Sequence, residues 1–229
     1  MADKDYKAFI VEGEAREPQV IFDTDIIEVL RESNKKIREQ LEGLSRDDFS
    51  EVFHFFDYDV HQTNLGKADD GDVINQMLES FDNETENGKL YISYPMVEAL
   101  RDFEAGKCGN GDNCFVEISV LAEYKNISSR NSLNSHFRDY NIDVWKEIVD
   151  GFLMRISCLL GNAEVISYEQ YLDEANPHDI YICEQALAGN NKVFIISAFP
   201  EFLVDYFGIK LWRTCVKHAK NQLDICNCK

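Results

Sequence analysis

Val52-Phe-His-Phe-Phe56-Asp57-Tyr58-Asp59 is the stretch on which the reading of this chain turns. Its apolar, aromatic run favours a strand, and it passes without a break into paired acids, so a strand delivers carboxylates at its C-terminal end. The polar segment 62–72 follows as a loop, and a helix begins near Val73. Working outward, the same pattern recurs twice. Residues 6–11, Tyr-Lys-Ala-Phe-Ile-Val, read as an opening strand that ends at Glu12-Gly13. Lys89-Leu-Tyr-Ile-Ser93 follows the turn-like Glu86-Asn87-Gly88, and Pro95 then opens a helix with Glu98 in its first turn.

The rest of the chain alternates in the same way. Residues 25–41 carry Ile26, Ile27, Val29, Leu30, Ile37 and Leu41 at helical spacing and read as one amphipathic helix stopped by Gly43. Gln19-Val-Ile-Phe22 is too short to separate strand from helix, and 115–135 is polar and mixed. Trp145, Ile148, Val149, Phe152, Leu153, Ile156 and Leu160 mark a long core-facing helix over 144–160. Further helix is read at 169–172 and 180–187, a buried strand at 192–197, and a helix after Pro200 through Phe202, Leu203, Tyr206 and Phe207. Strands alternating with helices predict an α/β fold with a mostly parallel central sheet flanked by helices, whose ligands collect at the carboxyl ends of the strands.

The 229 residues, 45% hydrophobic and 28% charged, are read as one domain, 1–229. Four Pro and twelve Gly without low-complexity tracts exclude a collagen-like or largely disordered chain. Every apolar run stops well short of the roughly 20 residues a bilayer crossing needs, so no membrane is expected. The opening Met-Ala-Asp-Lys-Asp lacks the features of a signal peptide, which predicts a cytoplasmic protein. Seven Cys then read as reduced thiols. Cys158, Cys183 and Cys215 lie among apolar neighbours, whereas Cys108, Cys114, Cys226 and Cys228 could form a zinc site, although their spacings are not the usual knuckle pairs.

Forty-two acidic against 23 basic residues give a net charge of −19, which repels nucleic acid unless a local basic patch, bound cations or a basic partner offsets it. Lys210, Arg213, Lys217 and Lys220 recur at three- and four-residue steps and share one helical face, the candidate nucleic-acid contact or else a solvated flank. Glu12, Asp57, Asp59 and Glu98 come from three separate element ends. Carboxylates brought together repel unless a cation holds them, and hard oxygen ligands without a His-rich motif suit Mg²⁺ or Mn²⁺. Phosphoryl chemistry is the natural use of such a set, although any single one of these acids could instead cap a helix.

Phe9-Ile-Val-Glu12-Gly13-Glu14 followed by Phe55-Phe-Asp57-Tyr-Asp59 resembles the Glu-Gly and Asp-x-Asp signature of the Toprim fold of primases, topoisomerases and OLD-type nucleases. Ser93-Tyr-Pro95-Met-Val-Glu98 is similar to the Ser-x-Pro-x-x-Glu element of RloB-like proteins, compact Toprim proteins linked to bacterial phage defence. The resemblance spans about 6–104. It implies a Toprim-like core there, a helical insertion over about 115–190, and a closing strand and helices over 192–225. It further implies a Mg²⁺- or Mn²⁺-dependent nuclease in which Glu12 binds metal or moves a proton, Asp57 and Asp59 bind metal, and Glu98 completes the site. An ATPase subunit is the protein partner it admits; a second copy of the chain is a further expected partner. Which of Glu14 and Glu17 joins the site stays open, as does a role for His61 beside the paired acids.

Two other readings remain. A HAD-like phosphohydrolase would use the first acid of Asp23-Thr-Asp25 or of Asp57-Tyr-Asp59 as nucleophile, with Ser93 or Ser197 as the later hydroxyl. A non-catalytic acidic module would dock its carboxylates on a basic partner.

Overall fold

The computed structural model describes residues 26–33, 35–58, 73–103, 114–130, 133, 137–162 and 164–219. The expectations placed on 6–11, Glu12, Glu14, Glu17, 19–25, Asp59, His61, Cys108, Lys220, Cys226 and Cys228 lie outside them. Over the described residues the fold is mixed α/β and mostly helical.

The expected helix over 25–41 is two helices, α1 (Ile26–Ser33) and α2 (Lys35–Gln40), folded against each other. Ile27 and Leu30 pack with Ile37 and Leu41 around a small core shared with Leu44 and Phe49. One continuous helix would hold Ile27 and Leu41 about 20 Å apart, so burying both against each other requires the reversal.

Strand β1 (Phe53–Asp57) pairs in parallel with β3 (Gly88–Ser93), with Asp57 opposite Ser93. Between them lie α3 (Val73–Ser80) and the short β2 (Asp82–Asn83), the helix-bearing crossover that a parallel pair needs. β2 returns into β3 through a tight turn and is antiparallel to it. Gly88 closes that turn at φ 107°, and a Cβ there would lie 2.2 Å from His54 Nε2 on the neighbouring strand. Only glycine satisfies both conditions.

β4 (Phe115–Glu117) pairs antiparallel with β5 (Lys192–Phe194). An antiparallel bridge between Tyr94 and Ile196, with N–H···O distances of 2.7 and 2.9 Å, stitches the two sheets together. Among the described residues, then, one pairing is parallel and the rest are antiparallel, where a mostly parallel sheet was expected. The stretch expected as a helical insertion contributes β4 to the sheet as well as helices α4 (Tyr124–Ser128), α5 (Ile142–Leu159), α6 (Tyr168–Glu174) and α7 (Pro177–Ala188).

The core forms where α5 packs on α8 (Ala198–Ala219), which itself lies on β3. Asn141 starts α5 by accepting the Asp143 and Val144 N–H groups at 2.9 and 3.0 Å, and Ile148, Phe152, Leu153 and Ile156 are fully buried on its inner side. α8 is broken at Gly208 (φ 61°, ψ −150°), which separates a first segment on β1 and β3 from a second anchored by Trp212 and Cys215. Cys114 and Cys158 are also buried, and Cys183 is half-buried.

Candidate functional site at the ends of β1 and β3

Because β1 and β3 are parallel and in register from Phe53–Lys89 to Asp57–Ser93, both strands deliver their C-terminal residues to one end of the sheet. Beyond β3, and after a cis Tyr94–Pro95 peptide, the chain turns into a 3₁₀ helix, Val97–Asp102, in place of the longer helix expected after Pro95. Met96, its N-cap, offers no side-chain acceptor. Asp57 supplies it from the neighbouring strand: its Oδ1 accepts the Val97 N–H at 2.7 Å. The Asp-x-Asp strand and the Ser-x-Pro-x-x-Glu turn are thereby tied together through one carboxylate.

Glu98, the next residue, is only 7% exposed, and its Oε1 lies 3.1 Å from Lys125 Nζ on α4. A carboxylate this buried is expected to be paired, and the Lys125 ammonium is its partner. The far end of the turn is clamped as well. Tyr124 donates its hydroxyl to the Asp102 carboxylate, and burial together with that carboxylate holds the phenol well above its ordinary pKa. The fully buried Arg155 of α5 donates to Asp102 O at 2.8 Å and to Ile195 O at 3.0 Å while lying over the Phe103 ring. Sequence reasoning missed Lys125, Tyr124 and Arg155, because a lone cation or phenol on a helix carries no local signal of a partner far along the chain.

Of the four expected acids, Asp57 and Glu98 are thus brought to the same turn, while Glu12 and Asp59 lie outside the described residues. Among the described residues no group of three or more His, Cys, Asp or Glu side chains could hold a metal ion. Asp57 and Glu98 offer hard oxygen donors of the type Mg²⁺ and Mn²⁺ take, and a full set would need the two acids outside. The hydroxyls considered for a HAD-like site are buried: Ser93 Oγ accepts the Ala198 N–H at 3.2 Å, and Ser197 is fully enclosed.

No family model matches the chain, and neither does any curated protein or solved structure compared with it. The site must stand on its own geometry.

A second polar cluster lies behind it. Asp205 on α8 accepts from Lys89 Nζ at 2.5 Å, Tyr91 Oη at 3.0 Å and Tyr171 Oη at 2.8 Å, joining α8 to β3 and α6. One turn earlier Glu201 is 1% exposed and its Oε1 has no hydrogen-bond partner; burial, then the Asp205 charge, push its pKa well up, with Lys89 opposing. Glu184 on α7 is equally buried. Its Oε2 accepts the Phe194 N–H at 2.9 Å, and burial raises its pKa too. In both acids burial disfavours the charged form. Sequence did offer a clue to Glu201, the lone charge in Ala198-Phe-Pro-Glu-Phe-Leu-Val204.

Lys210 and Arg213 are exposed on the second segment of α8, on the side away from the buried Trp212 and Cys215. Lys217 continues that helix, its side chain lying outside the described set together with Lys220. Among the described residues no helix is long and apolar enough to cross a membrane.

Proposed function

We propose that this chain is a Mg²⁺- or Mn²⁺-dependent nuclease of the Toprim kind that cuts phosphodiester bonds, and that it serves as a cytoplasmic effector of bacterial phage defence, alone or beside an ATPase subunit. The observation that carries the reading is the Asp57–Val97 hydrogen bond, which joins at one sheet end the two elements whose residues resemble that family. In this reading Asp57 and Glu98, with Glu12 and Asp59, hold the metal, which when bound polarises the phosphodiester and acidifies an attacking water. The residues around them do the positioning. Asp57 fixes the start of the Glu98 turn, Tyr124 and Arg155 fix its end, and Lys125 pairs with Glu98, where a divalent cation would compete with its ammonium.

The test is cleavage of end-labelled DNA and RNA, single- and double-stranded, with Mn²⁺ or Mg²⁺. Wild type should cut at least one of them in a metal-dependent manner, and Asp57→Asn should not. One observation favours a second reading, an acidic module that docks on a basic partner: Asp57 already caps a helix and Glu98 already has an ammonium partner, so both carboxylates have structural work. Absence of cleavage on every substrate, with Asp57→Asn indistinguishable from wild type in metal binding, would select that module.

A further inference from the structure

Alternation along β1 sends Phe53, Phe55 and Asp57 to the face that α8 covers, while His54 turns the other way to meet Phe81. α8 runs antiparallel to β1 across that face: Phe55 stacks on Phe199 (centroids 5.0 Å, planes 16° apart) and meets Phe202, and Phe53 meets Phe202 and Tyr206. The contacts continue from Phe202 to Tyr206 and from Tyr206 to Phe207. The result is an unbroken aromatic row that starts two residues before Asp57 and ends beside the break at Gly208. Much of it is open: Phe55 is 40% exposed, Tyr206 54% and Phe207 55%. Three residues beyond Phe207 come the exposed Lys210 and then Arg213. The carboxylates beneath the row are quiet, since Asp205 is paired with Lys89 and Glu201 is enclosed.

We infer that this row is a stacking platform for unpaired bases, so that the nucleic acid taken by the site is single-stranded where it meets the protein. The inference rests on the phosphodiester reading above and names its substrate class. Exposed aromatic faces give sequence-tolerant base stacking, and cations at one end engage phosphates, the combination by which single strands are held. Duplex bases, already stacked on each other, cannot reach Phe55 or Tyr206. The row has the polarity the reaction needs, with a metal-holding acid at one end and cations at the other. Strand spacing puts Phe55 only about 7 Å from Asp57 along β1.

The experiment is fluorescence-anisotropy titration of wild type with labelled oligo-dT, oligo-U and a duplex of equal length, at several salt concentrations and with Ca²⁺ as the cation, while cleavage is followed separately with Mn²⁺. Single strands should bind at least tenfold more tightly than duplex. Phe55→Leu and Tyr206→Leu should each weaken single-strand binding by roughly five- to a hundredfold, the range expected for one lost base stack, with an unchanged salt slope because no phosphate contact is lost. Tyr206, more than half exposed, keeps the test valid if Phe55→Leu fails to fold. The platform is overturned if duplex binds as tightly, if both folded variants bind as wild type, or if no oligonucleotide binds. It is also overturned if sedimentation shows a dimer that Tyr206→Leu dissolves, which would make the row an interface between copies. Metal-dependent cleavage with a duplex preference would reject the platform and keep the nuclease. Aromatic-dependent single-strand binding without cleavage would do the reverse.

Discussion

Asp57 Oδ1 accepts the Val97 backbone N–H at 2.7 Å across a separation of forty residues, so one carboxylate both starts the turn that carries Glu98 and stands at the end of β1. The two duties separate by substitution. Asp57→Asn keeps an oxygen acceptor for Val97 and should leave stability within about 0.5 kcal/mol of wild type, whereas Asp57→Ala removes the cap and should cost about 1 kcal/mol. Both should lose cleavage and the thermal shift given by millimolar Mn²⁺. Urea denaturation beside a Mn²⁺ titration checks this. An equal Mn²⁺ shift in wild type and Asp57→Asn would remove Asp57 from any metal site.

Lys125 neutralises Glu98 from a side chain that is itself 71% exposed, so it can be replaced without opening the core. In Lys125→Gln the ammonium no longer competes with a divalent cation for Glu98, and Mn²⁺ should bind more tightly, by a few-fold, while metal-free stability drops by less than about 1 kcal/mol. Isothermal titration of both proteins with Mn²⁺ measures the difference. Unchanged affinity would mean that Glu98 serves the turn and no metal.

Burial raises the carboxyl pKa of both Glu184 and Glu201, and the sign of their pH effect follows from that direction. A carboxyl group whose folded pKa lies above its unfolded value binds more protons when folded. Its contribution is complete below the ordinary carboxylate range and is lost as pH rises through the folded pKa, at up to about 1.4 kcal/mol per pH unit for each group. Stability of wild type should therefore fall from mildly acidic toward alkaline pH. Glu184→Gln, which can still accept the Phe194 N–H, and Glu201→Gln should each flatten that slope. Urea midpoints between pH 5 and 9 decide it, and parallel curves for the three proteins would show both acids ionised in the fold.

What the sequence made legible, and what it hid, divides by range of interaction. β1, β3, α5 and the first segment of α8 form within a few residues of where the apolar pattern puts them, and the second segment of α8 is the helix that the spacing of its basic residues predicts. Pairing direction does not, because whether β4 meets β5 or Tyr94 meets Ile196 depends on tertiary docking. The site divides in the same way. Asp57 and Glu98 stand out as acids just past apolar runs, but Arg155 reaches Asp102 across 53 residues and reads in sequence as one more charge on an amphipathic helix. Asp205, meeting Lys89, Tyr91 and Tyr171 from two other elements, is hidden for the same reason.

Gly208 joins the aromatic and the basic segments of α8, and its backbone (φ 61°, ψ −150°) lies in a region that essentially only glycine occupies. A Cβ there would also come within 3.3 Å of Tyr168 Oη. Gly208→Ala should therefore cost about 1–3 kcal/mol in urea denaturation. Two causes could contribute, and they are separable. Tyr168→Phe removes the hydroxyl while leaving the ring against Trp212, so Gly208→Ala made in that background suffers only the backbone strain. If strain dominates, the loss persists in the double variant; if the contact dominates, most of it disappears. The break also sets where Lys210 and Arg213 point relative to Tyr206 and Phe207. Residual folded Gly208→Ala should consequently bind oligo-dT more weakly and with a shallower salt slope, since the cations no longer line up with the end of the aromatic row. A stability change below about 0.5 kcal/mol, with oligo-dT binding intact, would show that α8 runs through residue 208 as a continuous helix and that the two segments are not held at the angle this conformation imposes.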